Sequence, residues 1–195
     1  MFSALLTLWL ALPAPAPQSD GLTKTTITID QTIEDVPCGP GVVWRFQNTG
    51  RLHRCTLGHD AVVRGAALPG GSVVAFTAEG LHQFVFLSRA ATIDGVSCRG
   101  GGDGFMTTLH PSGKLKLCWL VDNTTIQGVP CASFTVWSDV VKRDNSGVIF
   151  HENGQLAECR LFEAVKLDGQ SFQKNDRIRL DVTGHALPPG DGNER

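Results

Sequence analysis

Apolar runs of four to six residues recur along this chain, and each leads into a polar turn built around glycine. The segments VVWRF (42–46), VVAF (73–76), GVIF (147–150) and RIRLDV (177–182) are rich in β-branched and aromatic side chains, which fit a pleated, half-buried surface. The glycine that follows suits a backbone with positive φ. It can sit in a two-residue Asn-Gly turn, as at Asn153-Gly154, or close a type I turn with a bulge, as in Pro111-Ser112-Gly113. A partner strand follows as Leu-x-x-Cys-x-Leu, and a third short strand ends in an Ile/Leu/Val-x-Gly triplet. No stretch offers about 10 to 12 residues of helical periodicity free of glycine. The pattern predicts an all-β chain made of hairpins.

The hairpins repeat. CTLGHDAVVRGAAL (55–68), VFLSRAATIDGVSC (85–98), CWLVDNTTIQGVPC (118–131) and CRLFEAVKLDGQSF (159–172) all carry Leu at the third position and Gly at the eleventh. ITIDQTIEDVPC (27–38) matches the same end, with Asp35 in the place of Gly65, Gly95, Gly128 and Gly169. The turn glycines Gly50, Gly80, Gly113, Gly154 and Gly184 are 30, 33, 41 and 30 residues apart. The chain therefore divides into five units of about 30 residues over 27–187, with insertions of about 3 and 11 residues in the third and fourth. A unit of this size cannot bury a core alone, so the units should stack as an extended antiparallel meander or solenoid-like sheet.

Six cysteines fall in two repeated slots. The first holds Cys38, Cys98 and Cys131, with Leu68 and Phe172 in the other units; the second holds Cys55, Cys118 and Cys159, with Val85 in the second unit. The two slots are filled or emptied together, a coincidence expected by chance in about one arrangement in ten. This favours pairing within units: Cys38 with Cys55, Cys98 with Cys118, and Cys131 with Cys159. The competing bridge joins Cys118 to Cys131 across one repeated segment. A zinc site is not indicated, because no two cysteines stand two to four residues apart as paired ligands do.

The termini and the composition set the compartment. Residues 1–12, MFSALLTLWLAL, form an uncharged apolar run too short to span a bilayer but suited to the core of a secretory signal. Ala14-Pro15-Ala16 supplies a small-x-small cleavage pattern, so 1–16 is read as a signal peptide, 17–26 as a linker and 188–195 as a disordered tail. An even cysteine count agrees with export to the periplasm or the cell exterior. No second segment approaches spanning length, so no transmembrane segment is expected in the mature protein. A net charge of −2 gives no footprint for nucleic acid, and none is expected as a partner.

Catalytic chemistry is hard to find. His110 and His151 share one repeat position just before the turn, which allows a paired metal or acid–base role or, more simply, a polar strand end. CRGGGDGF (98–105) lacks the Lys-Ser/Thr and the helix that a phosphate cradle needs. Asp144-Asn145-Ser146-Gly147 lacks the alternating acids and terminal Glu of a calcium loop. Asn123-Thr124-Thr125 is a glycosylation sequon or a plain turn. No cofactor and no metal are expected. The insertion within ASFTVWSDVVKRDNSG (132–147), with Trp137, Lys142 and Arg143, is the candidate contact surface, since insertions on repeat proteins often line a binding face.

At FHENGQLAEC (150–159), and more loosely at LHPSGKLKLC (109–118), the sequence resembles the aromatic-x-x-Asn-Gly-x-Leu signature of MORN-variant repeats, some of them labelled antitoxin-like. It looks closest to a Cys-bearing form seen in uncharacterised exported bacterial proteins. The resemblance implies hairpin arrays with a structural or protein-interaction role, toward an unknown protein or envelope component, and gives no catalytic residues to transfer. The expected function is that of a non-enzymatic interaction or structural module. The alternative is an inhibitor or immunity-type protein that binds a partner enzyme, and a hydrolase stands third.

Overall fold

The computed structural model describes residues 21–101, 104–133 and 147–188. The chain opens on β1 (Leu22–Ile27). The first unit follows as β2 (Gln31–Ile33), β3 (Val36–Cys38), β4 (Gly41–Phe46) and β5 (Leu52–Thr56), and the second as β6 (Ala61–Val63), β7 (Ala66–Leu68), β8 (Val73–Phe76) and β9 (His82–Phe86). The third comprises β10 (Ala91–Ile93), β11 (Val96–Cys98), β12 (Met106–Leu109) and β13 (Leu115–Cys118). The fourth comprises β14 (Thr124–Ile126), β15 (Val129–Cys131), β16 (Val148–Phe150) and β17 (Leu156–Arg160), and the fifth β18 (Val165–Leu167), β19 (Gln170–Phe172) and β20 (Arg177–Arg179). The fold is all-β, without a helix among the described residues.

The long strands form one antiparallel sheet of ten, in the order β1-β4-β5-β8-β9-β12-β13-β16-β17-β20. The short strands form five separate hairpins, β2-β3, β6-β7, β10-β11, β14-β15 and β18-β19. One contiguous core joins the two layers. Val43, Val74, Phe76, Leu115, Val148 and Leu156 enter it from the sheet; Ile33, Val63, Ile93, Ile126 and Phe172 enter it from the hairpins. Because side chains alternate along a strand, burying this set commits the others to the opposite face.

Three features depart from the sequence reading. First, each of the first four units has four strands where three were read. Gly65, Gly95, Gly128 and Gly169 do not end a strand; each is the second residue of a two-residue turn, preceded by Arg64, Asp94, Gln127 or Asp168, also at positive φ. Positive φ at both central residues is the type I′ turn, whose twist matches the flanking strands. The first unit makes the same turn with Glu34 (φ 49) and Asp35 (φ 66). Second, Asn153-Gly154 does not form a two-residue turn: its hairpin closes on the bulged type I turn, as the one at Pro111-Ser112-Gly113 does in line with the sequence. Gly154 N donates to His151 O (2.9 Å), and His151 N to Gln155 O (2.9 Å), as Gly113 N donates to His110 O (2.8 Å). Third, the stretch 17–26 read as a linker contains most of β1, which pairs with β4 in unbroken register from Leu22↔Phe46 to Ile27↔Gly41. Residues 22–26 are exposed, so they lack the alternating apolar signal that marks the other strands.

The disulfides are Cys38–Cys55, Cys98–Cys118 and Cys131–Cys159, with Cα–Cα separations of 5.8, 5.6 and 5.6 Å. Each ties the second strand of a small hairpin to a long strand of the sheet, within its own unit. The Cys118–Cys131 alternative is thereby excluded. In the second unit the two slots hold Leu68 and Val85, both buried. There the bridge is replaced by apolar contact with the shared core.

Candidate interaction face

The polar groups inside the hairpin layer are occupied with holding units together. The first central residue of the short-hairpin turn accepts a backbone N–H in four units: Glu34 Oε1 from Leu52 N (2.7 Å), Asp94 Oδ2 from Leu115 N (2.7 Å) and Gln127 Oε1 from Leu156 N (2.8 Å), each at the start of a long strand, and Asp168 Oδ2 from Ala186 N (2.7 Å), beyond β20. The Ala186 N–H, and after it His185, hold the Asp168 carboxyl below the usual carboxylate range. In the second unit this place is Arg64, which has no acceptor to offer. Its guanidinium instead lies 4.1 Å from the Phe76 ring centroid and 3.8 Å from the Glu34 carboxylate.

His110 and His151 serve the same framework. The Nε2–H of His110 donates to Phe150 O and that of His151 to Leu180 O, both at 2.9 Å. Each ring thus bridges its own hairpin to the first long strand of the next unit. His53, at a different offset in sequence, does the same job by donating from Nδ1 to Phe76 O (2.9 Å). His82 takes the position that is Leu in the first, third and fourth units, and donates from Nε2 to Val63 O (3.1 Å). Burial holds this imidazole below its ordinary value, with the Arg64 cation acting in the same direction and the Val63 bond against it. No group of three His, Cys, Asp or Glu side chains gathers as a metal site among the described residues.

Asn123 Oδ1 accepts from Ser133 N (2.8 Å) and Oγ (3.2 Å), so the sequon asparagine closes the base of its small hairpin. Trp137, Lys142 and Arg143, and the segment 144–146, lie outside the described residues, as do 1–20 and 189–195. A cavity of about 270 Å³ between the third and fourth hairpins is lined by Leu115, Ile126 and Phe150. Its polar lining residues Asp94 and Gln127 already hold Leu115 N and Leu156 N.

Among the described residues, the face of the sheet turned away from the hairpins carries no further layer. The strand registers place one outward residue per strand in a row: Lys24, Trp44, Arg54, Ala75 and Phe84, then Thr108, Leu117, Ile149, Glu158 and Arg179. A second row runs through Val73, Phe86 and Met106. The ends of the first row are charged and its middle, from β8 to β16, is apolar apart from Thr108. Val42 and Met106 are 46% and 42% exposed, large values for residues of their kind in a sheet. The rings of Phe84 and Phe86 meet tilted, with centroids 5.3 Å apart, and the Arg54 guanidinium lies 5.5 Å from the Trp44 ring centroid. Val42, Trp44, Arg54, Val73 and Phe86 line a shallow depression of about 440 Å³ on this face. An apolar centre with aromatic and Arg side chains inside a charged rim is the composition of protein-binding surfaces.

Sequence reasoning missed this face because its members do not recur in kind from unit to unit. The row exists only once the registers are known. No helix among the described residues is long and apolar enough to cross a membrane. No protein-family model, no curated protein and no solved structure matches the chain.

Proposed function

We propose that this protein is a periplasmic or secreted interaction module, a disulfide-stapled hairpin array of the MORN-variant kind, which holds a partner protein against its outer sheet face and performs no catalysis. The observation that carries the reading is the asymmetry of the sheet. One face is closed by five hairpins, and the other keeps Val42, Phe84, Phe86, Met106, Leu117 and Ile149 open or half-open to solvent. Keeping that much apolar surface in water is unfavourable, at roughly 25 cal/mol per Å², and association recovers it. Three disulfides support an oxidising compartment, where such bonds persist.

The test is recovery of the tagged chain from its native source beside a Val42→Glu/Met106→Glu variant. The proposal expects a stoichiometric partner on the wild type and its loss from the variant at unchanged melting temperature. Equal recovery with both proteins would refute it.

A further inference from the structure

The two edges of the ten-stranded sheet are not alike. At the far edge the chain turns back over β20: Leu180 bridges to Ala186, and Leu187 N donates to Arg179 O (2.9 Å). At the near edge β1 has β4 as its single neighbour among the described residues. β1 also matches a recognisable half of the repeat. Its Leu22-x-x-Thr25-x-Ile27 has the spacing of Leu52-x-x-Cys55-x-Leu57 and Leu156-x-x-Cys159-x-Leu161. It therefore occupies the place of a second long strand, and no first long strand pairs with it among the described residues.

The exposed bonding groups follow from the register. Gly21 O accepts from Gln47 N (2.8 Å), and β1 pairs onward from Leu22↔Phe46. Bonded pairs alternate in an antiparallel ladder, so residues 21, 23, 25 and 27 bond to β4. The N–H and C=O groups of Leu22, Lys24 and Thr26 point out of the sheet, which is the template a further strand needs.

Charge narrows what that strand is. Continuing the repeat with a second copy would set Arg179 of one molecule against Lys24 of the other, because both lie in the same outward row. Pairing β1 with its own copy about Lys24 opposes two lysines. Directly opposed like charges are unfavourable in a sheet, whereas opposite charges stabilise the pair. The chain's own residues upstream of Gly21 lie outside the described residues.

We infer that the free edge of β1 takes in an extended segment of a partner protein, with an acidic side chain opposite Lys24. This rests on the interaction reading and names the form of the partner. It is tested separately, because the test leaves Val42 and Met106 untouched.

The probe is a labelled six-residue peptide copying 147–152, the first long strand of the fourth unit, with Ile149→Glu at the position that would face Lys24. Fluorescence anisotropy with the full chain should show saturable binding. An Ile149→Lys peptide should bind more weakly, by up to about thirtyfold, and this preference should reverse on Lys24→Glu protein, since one opposed charge pair is worth up to about 1 kcal/mol on each side of the comparison. N-methylation of the peptide at 147, 149 and 151 should abolish binding by removing the ladder donors. Absence of saturable binding, or equal binding of the N-methylated peptide, would overturn the inference. So would sedimentation of the free chain as a dimer that Thr26→Pro dissociates, since a second copy would then hold the edge. Loss of partner recovery from the Val42→Glu/Met106→Glu variant with no peptide binding would leave the outer-face reading standing and remove this one.

Discussion

The hairpin-covered face of the sheet and its open face are built from alternate residues of the same strands, yet they obey different rules. On the covered face the residue at each repeat position is constrained in kind: Leu52, Leu115 and Leu156 recur, as do the paired cysteines and the carboxyl or amide that caps each long strand. On the open face Trp44, Ala75, Phe84, Leu117 and Ile149 share position and little else. Regularity serves stability, because every unit must dock onto the next in the same way. Irregularity on the other side is what a surface shaped to one partner would carry, and it costs the fold little because no neighbouring layer of the described residues packs there.

The contrast can be broken most severely from the covered side. Replacing Cys131 and Cys159 together by Ala should cost about 3 to 4 kcal/mol, the loop-closure entropy returned to the unfolded chain by opening a 28-residue separation. Denaturant unfolding under non-reducing conditions measures it, and the Cys38–Cys55 pair, with a separation of 17, should cost slightly less. Asp94→Ala should cost about 1 to 3 kcal/mol, because it strands the N–H of Leu115, a residue only 2% exposed. Asp94→Asn, which keeps an acceptor oxygen, should recover most of that loss.

The pH dependence comes next. The unfolded chain takes up a proton at His82 near the ordinary value of 6.5, and the folded chain resists it because the ring is buried. Wild-type stability should therefore be level above that pH and fall as pH drops below it, until the folded-state value is passed. His82→Leu, which restores the residue of the other units, should remove this part of the acid sensitivity in thermal melts at pH 7 and pH 5. A persisting His82-sized slope in that variant would refute the assignment. Smallest of all, Val42→Glu and Met106→Glu should each change stability by no more than about 0.5 kcal/mol, because both side chains already face water.

Much of the covered side could be read from the sequence and little of the open side. The Leu-x-x-Cys-x-Leu strands, the turn glycines and the pairing of cysteines within units were legible because core contacts and turn geometry bring the same residue back to the same place in at least three of the five units. The fourth strand of each unit was not, since three residues are too few to show a period and Pro37 and Pro130 sit in the middle of two of them. Both prolines lie on the short hairpins, outside the ten-stranded ladder, where a missing N–H is tolerated. β1 was passed over because Thr23, Lys24, Thr25 and Thr26 are all exposed and give no apolar alternation. The structural role of His53 was hidden by its offset: only the fold brings its ring to the Phe76 carbonyl, as His151 is brought to that of Leu180. Trp137, Lys142 and Arg143, the surface suggested by the insertion, lie outside the described residues, and the open face was found without them.

Hydroxyl-radical footprinting of the free chain and of the chain bound to the partner recovered by the wild type tests the division of labour between the faces most directly. Trp44, Phe86 and Met106 are reactive side chains on the open face, while Val62, 69% exposed at a hairpin, reports the other side. The account predicts that the first three are oxidised in the free protein and protected in the complex, with Val62 unchanged. Protection of Val62 with continued oxidation of Trp44, Phe86 and Met106 would contradict it.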